Sequence, residues 1–485
     1  MTARPLLPPA LRSASRPRLA ALVALVLTTG ALAGVASARS AAPADLLVVR
    51  PPTVAALTAP AELTVTVGAT PTDGVVPSGA IGLSFDENVL GSRGLSAAAG
   101  LVPLMRRLGP SILRIGGTSS QWGRAVPFTA TQLHSLDTVL RGSGWRAILT
   151  EDDAHWSASV TAQDARAANA VLGPRLAGMA CGNEPAGYAP SGWRPRGWTT
   201  AQTVADELTC LRAVHAAVPS IRLVGPDAGQ GDWVRRWAPQ GASSVAIVTT
   251  HLYPMAACRV PWPLPGTLLG PAAQRVALED VAPALAAARA AHRPLLLDET
   301  NSAACGGIRG LSDAYAAALW APDDVLTLLQ AGVVGLDFHG APNAHGCSQY
   351  SPICLPAGAS TDRAQPVYDG LLLAHDLGTG RLLPVSGTTA LLRAHALLRG
   401  DGRTAVLLDN ESDHPVLVHL VVPHSSGSAA ETLMTDPGGL RARGGVCFTT
   451  GQVDGTAEGT GTTSYVVRLP AFSADDVVTA VSVAA

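Results

Sequence analysis

The chain contains no lysine. All 34 of its basic residues are therefore arginine, which reflects composition more than function. Charged residues are scarce at 14%, and the formal net charge is −2. That balance excludes the broad basic surface that recruits nucleic acid or anionic lipid. No GxGxxG motif follows a strand, so nothing supports a dinucleotide fold. No phosphate-binding loop and no Ser-His-Asp spacing stands out. His339, His345, Cys347 and Cys354 lie close together, but their spacing matches no standard zinc pattern. A disulfide within that loop is the expected use of Cys347 and Cys354. Beyond the N-terminus, no segment is long and apolar enough to span a membrane. The sequence therefore calls for no metal, cofactor, nucleic acid or stable membrane insertion.

What is abundant is apolar material, 47% of 485 residues. That is enough for a large core and too long for one ordinary domain. Arg12, Arg16 and Arg18 precede the apolar run Leu19 to Ala36, and Ala36-Ser37-Ala38 offers small residues for cleavage. Residues 1–40 are expected to be an export signal, with an uncleaved anchor as the alternative. Export permits disulfides, and the seven cysteines leave at least one unpaired within the chain. Cys258 and Cys305 would pair if their loops are neighbours. Sequence does not fix the connectivity.

Residues 41–60 are rich in Ala and Pro and read as a linker. Glu62 to Ala69 alternates apolar residues with Thr, the pattern of a half-buried strand. This strand is expected to join sheets made far later in the chain. From residue 79 to 377, eight short apolar runs alternate with helical stretches. The runs are 79–85, 111–117, 145–150, 176–183, 221–226, 244–253, 293–299 and 332–339. Their lack of strict alternation suits strands covered on both faces. Eight such units predict an α/β fold, a (β/α)8 barrel. From 378 to 485 the runs are short, β-branched and punctuated by Gly, Asp, Asn and Ser, which predicts a β-sandwich.

In such a barrel the chemistry sits at the C-terminal ends of the strands. Those ends carry Asp86-Glu87, Arg114, Glu151-Asp152-Asp153, Asn183-Glu184, Asp227, His251 with Tyr253, Asp298-Glu299, and Asp337 with His339. Glu184 closes the fourth run and Glu299 the seventh. Closure brings these two rims across one cavity. Two carboxylates facing each other suit glycoside cleavage, which needs one acid and one nucleophile or base. Either one alone would more commonly be a solvated rim residue. Arg114 is expected to form a structural ion pair, and His251 to be a satisfied rim or core histidine. Trp122, Trp145, Trp156, Trp193, Trp198 and Trp233 are core residues by default, although rim tryptophans also stack on sugars.

"GNEPAGY" followed by "LLLDETNSAACGGIRGLSDAYAAALW" resembles family 79 of the glycoside hydrolases, the β-glucuronidase and heparanase group. "RIGGTSS", "THLYP", "FHG" and "QPVYDGLLL" add to the likeness, which spans about residues 80 to 480. The resemblance implies a carbohydrate substrate and a retaining mechanism. In it Glu299 is the nucleophile and Glu184 the acid/base. Asn183 contacts the hydroxyl beside the reacting carbon, Tyr253 bonds the nucleophile, and Asp86 contacts the sugar. Three positions depart from the family pattern. Ala304 stands where a uronate-binding Tyr is common, though the backbone N–H groups of Gly306 and Gly307 could cradle a carboxylate. Gln121 stands where Asp is usual, and the acidic "TEDD" stretch replaces Asn and Gly.

Overall fold

The computed structural model describes residues 61–481, apart from 97–99, 122–125, 260–263, 343–346 and 460. The expected export signal, the 41–60 linker, Trp122 and His345 lie outside the described residues.

Eight parallel strands form the central sheet: β1 (Ile81–Asp86), β2 (Ile112–Gly116), β3 (Arg146–Glu151), β4 (Leu176–Cys181), β5 (Val224–Ala228), β6 (Ile247–Leu252), β7 (Leu295–Thr300) and β8 (Gly335–His339). They neighbour one another in chain order, and β8 pairs with β1. A parallel bridge between Met179 and Leu223 joins β4 to β5, so the sheet closes into a barrel. Side chains are buried along almost the whole length of each strand, because helices cover the outer face and packed side chains fill the inner one. The chain builds the helices with ordinary start signals. Thr129 caps the helix Ala130–Ser143 and Thr199 caps Thr200–Ala217, each in a reciprocal capping box with the Gln three residues on.

The C-terminal body is two antiparallel-rich sheets. In one, Ala61–Val67 runs parallel to Val416–Pro423, which pairs in turn with Thr462–Leu469. The other runs from Cys447–Val453 to Gly380–Leu383 and ends on the short strand Val75–Val76. The strand Thr404–Asn410 is buried at every position. Val406 and Leu408 face the core between the sheets, with Val418, Leu420 and Val467 opposite. Ala405 and Leu407 face the other way and merge with the barrel core. That two-sided burial welds sandwich to barrel. Tyr315, at the start of the helix Tyr315–Ala331, reinforces the join: its hydroxyl donates to the carbonyls of Met434 (3.1 Å) and Phe472 (2.9 Å).

Three disulfides form: Cys181–Cys210, Cys258–Cys305 and Cys347–Cys354. Cys447 is free and exposed. Among the described residues, no helix is long and apolar enough to cross a membrane.

Candidate active site

The strand-end residues converge at one mouth of the barrel. At the centre lies Arg114 of β2, fully buried. Its Nη1 donates to Glu299 Oε2 at 2.7 Å and its Nη2 to Asn183 Oδ1 at 2.8 Å and Asp227 Oδ2 at 3.1 Å. Its Nε is 3.6 Å from Asp298. A guanidinium suits this post because its rigid fork serves several acceptors at once and it cannot lose its charge. One cation faces three carboxylates here. Burial, then the Asp227 carboxylate, holds Asp298 well above the ordinary range.

Glu299 ends β7, and its side chain is 10% exposed. The Tyr253 hydroxyl donates to its Oε1 at 2.8 Å. His251 and His339 approach Oε2, each at 3.8 Å. Burial opposes ionisation of Glu299, but the charges of His339, His251 and Arg114 and the Tyr253 hydroxyl overcome it. They hold the carboxyl well below its usual range. The anionic form of Glu299 is therefore the favoured one. Burial, then the Glu299 charge, keeps the Tyr253 phenol protonated and hence a donor. His339 also reaches Asp86 at the end of β1, 3.7 Å away. Burial disfavours its charged form, yet Glu299 and Asp86 together raise it. Burial acts against Asp86 in the same way, and His339 lowers it.

Glu184 is built differently. β4 ends at Cys181, and the chain then turns through Gly182 (φ 84°) and Glu184 itself (φ 47°, ψ 56°). The strand thus stops before Pro185, which opens a short turn over Pro185–Gly187. A left-handed glutamate is uncommon and is held by its surroundings. Its N–H donates to the Asp227 carbonyl at 2.9 Å. Its Oε1 lies 3.1 Å from His251 Nδ1. Gly229 leaves room for it: a Cβ there would come within 2.7 Å of Oε1. The Glu184 side chain is 46% exposed, the opposite of Glu299. One carboxylate oxygen of each lies within 4.8 Å of the other, with His251 between them. Glu184 and His251 edge a cavity of about 840 Å³ that runs past Tyr253 and Ala304 toward the helix Pro271–Ala290.

Asn183 is buried. Gln121, the departure noted above, donates to the Asn183 carbonyl at 2.7 Å and to the Tyr188 hydroxyl at 3.0 Å. It thus braces the loop that carries Glu184. The Gly306 carbonyl accepts from the Gln349 N–H at 2.9 Å, and Gly307 packs against Ser312, the Gln349 side chain and the Tyr350 backbone. Asp153 of the "TEDD" stretch is buried away from the catalytic pair, beneath Gly182 and Arg194. Trp145 and Trp233 are core residues, whereas Trp198 lies beneath the Arg194 guanidinium and Trp193 packs edge-on against Tyr188.

One contributor had no signal in the sequence. Tyr350 stacks on Tyr253 (ring centres 6.1 Å apart) and meets His339 edge-on at 5.7 Å. It sits in an irregular stretch after β8, where neither periodicity nor a strand end marks it. The expectation for His251 also changes, because it links the two carboxylates instead of merely filling the rim. Among the described residues, two donor sets could hold a metal, Glu184–His251–Glu299 and Asp227–His251–Asp298. In the second, Arg114 already supplies the positive charge.

No family model and no curated protein matches the chain. Solved structures do. A 4-O-α-L-rhamnosyl-β-D-glucuronidase from Fusarium oxysporum superposes with a TM-score of 0.66 at 19% identity, covering 86% of this chain and all of its own. A family 51 arabinofuranosidase from Xanthomonas axonopodis gives 0.65 at 13%, covering 86% and 99%. The Cel44A endoglucanase of Clostridium thermocellum gives 0.58 at 12%, covering 86% and 100%. The likeness is one of fold. It matches a (β/α)8 barrel carrying a β-sandwich.

Proposed function

We propose that the chain is a retaining glycoside hydrolase, with Glu299 as nucleophile and Glu184 as acid/base. The observation that carries this reading is the approach of their carboxylate oxygens to within 4.8 Å. Retaining enzymes hold the two groups about 5–5.5 Å apart, whereas inverting ones need roughly 6.5–9.5 Å to admit a water. The environments divide the roles. Glu299, ionised and oriented by Arg114 and Tyr253, attacks the sugar carbon and forms a glycosyl ester as the bond to the leaving oxygen breaks. Glu184, half in solvent and turned into the cavity, gives its proton to that oxygen. It then takes a proton from the water that hydrolyses the ester. Asn183, its carbonyl oxygen held by Arg114, presents its amide N–H₂ to the adjacent hydroxyl. Asp86 and Tyr253 complete the sugar site. The names of the structural neighbours, glycosidases throughout, support the class.

For the sugar, the family 79 resemblance and the neighbouring glucuronidase favour a β-linked glucuronide. A second reading, a neutral-sugar β-glycosidase, is favoured by Ala304, which brings no phenol to a carboxylate. The three disulfides support an exported enzyme. A panel of nitrophenyl glycosides tests both readings. Turnover of the glucuronide alone supports the first. Turnover only of the glucoside, xyloside or arabinoside supports the second. Sugar binding with no turnover anywhere would leave a carbohydrate-binding protein and refute the enzyme.

A further inference from the structure

A second cavity, of about 160 Å³, opens at the ends of β1, β2 and β3, away from the 840 Å³ cavity at β5 and β6. It borders the sugar site directly. Glu87 follows Asp86, Ser119 donates its N–H to Asp86 at 3.4 Å, and Thr150 donates to Asp227, a partner of Arg114. Four carboxyl groups line it: Glu87, Glu151, Asp152 and Asp164. Among the described residues, no Arg and no His lines it; His155 bonds Asp152 at 3.1 Å from outside the cavity. Glu151 is 4% exposed, and its Oε1 has no hydrogen-bond partner among the described residues. A buried carboxyl oxygen left open costs about 1–3 kcal/mol or more unless something fills it.

Four carboxyl groups in one cavity suit a cationic occupant, and its size can be judged. A metal ion draws its oxygen ligands to within about 2.3–2.6 Å of itself, so they crowd together. Among the described residues, the sets of three donors within 4.8 Å of one another all lie in the catalytic centre, and none includes these carboxyls. They stand too far apart for a bare ion. The volume, the Ser119 and Thr150 hydroxyls and the apolar edge of Phe128 suit an organic cation carried on a sugar.

We propose that this cavity is a subsite for the ammonium group of an amino sugar on the glycone side of the cleavage point. The inference rests on the glycosidase reading and names its substrate class: a glycoside with a free, unacetylated amine. Burial, then the charges of Asp152 and Asp164, pushes Glu87 up to about 8. Burial, opposed by the Phe128 N–H that donates to it at 2.7 Å, pushes Asp164 up to about 6. Unoccupied, the cluster keeps protons that a bound ammonium would displace.

Calorimetry on the full chain tests the proposal, with a β-linked glucosamine disaccharide, its N-acetylated counterpart, the matching glucose disaccharide and calcium chloride titrated separately. The amine should bind at least about tenfold tighter than either neutral sugar. Glu151→Gln and Asp164→Asn should each erase that preference. Glu87→Gln, at a half-buried position, gives the same reading should the buried variants not fold. Equal binding of the acetylated sugar, an amine preference that survives the substitutions, or calcium binding abolished by Glu151→Gln would each overturn it. Binding is read without turnover. Failure of the glycoside panel, extended by the nitrophenyl β-glucosaminide, with the amine preference intact refutes the enzyme alone, and turnover without that preference refutes the subsite alone.

Discussion

Arg114 Nη1 lies 2.7 Å from Glu299 Oε2, and the arginine is wholly buried. The ordinary structural ion pair expected at this position is thus also the support of the proposed nucleophile. Replacing Arg114 by Met would leave Glu299, Asp227 and Asp298 without their cation. Breaking such a pair costs about 3–5 kcal/mol. The expected result is a large drop in the denaturant midpoint together with loss of turnover. A variant with wild-type stability would show that the cluster does not depend on this charge.

Tyr253→Phe removes one donor to Glu299 and keeps the ring that stacks on Tyr350. A hydrogen bond to a charged group contributes about 1.5–3 kcal/mol, so kcat/KM should fall about 10- to 150-fold. Glu299 is held low partly by this hydroxyl. Its loss should move the acid limb of the kcat/KM profile to higher pH. An unmoved limb would separate Tyr253 from the ionisation of Glu299.

The carboxyl pair is tested by rescue. Glu184→Ala should lower turnover of poor leaving groups about 10²–10⁴-fold. Azide should restore it with a product of retained configuration. Glu299→Ala should be inactive, and azide should give the inverted product. Full activity of Glu184→Ala on ordinary substrates would remove it from the acid/base role.

Stability should rise as the medium is acidified from pH 8 to pH 5. Burial pushes Glu87, Glu411 and Asp475 up to about 8 and Asp153 up to about 7, with neighbouring carboxylates adding to each. A carboxyl raised in the folded state contributes stability below its unfolded value, near 4, that is lost as pH climbs through the folded value. Glu299 runs the other way. Its contribution is present above about 4.5 and is lost only in stronger acid, outside this window. Urea midpoints at pH 5, 6.5 and 8 measure the trend, and a flat or rising series would contradict it.

Cys181–Cys210 ties the end of β4, just before Asn183 and Glu184, to the helix Thr200–Ala217. Closing a loop of 29 residues is worth about 3–4 kcal/mol in the chain-entropy account. Cys210→Ala should lower the melting temperature and weaken catalysis. In the native wild type, one thiol per chain, Cys447, should react with a thiol reagent.

The barrel was legible because its strands are apolar runs bounded by turns, and each run in the sequence became a strand. Glu184, Glu299 and Tyr253 were legible because strand ends face one mouth. What escaped depends on contacts that no local pattern encodes. Tyr350 enters from an irregular loop. Cys181 finds Cys210 only after β4 and its helix pack. The "TEDD" carboxyls read as one acidic rim, yet the fold buries Asp153 and turns Glu151 and Asp152 into a separate cavity.

The parallel pairing of Ala61–Val67 with Val416–Pro423 carries a consequence for the chain's history and handling. The first described strand to leave the ribosome cannot find its partner until nearly the whole chain has followed. The sandwich is thus no cassette that recombination could append or an engineer could clip at residue 378. Any truncation or swap that keeps the C-terminal sheets must bring residues 61–67 with it, or leave a strand edge open for another molecule to occupy.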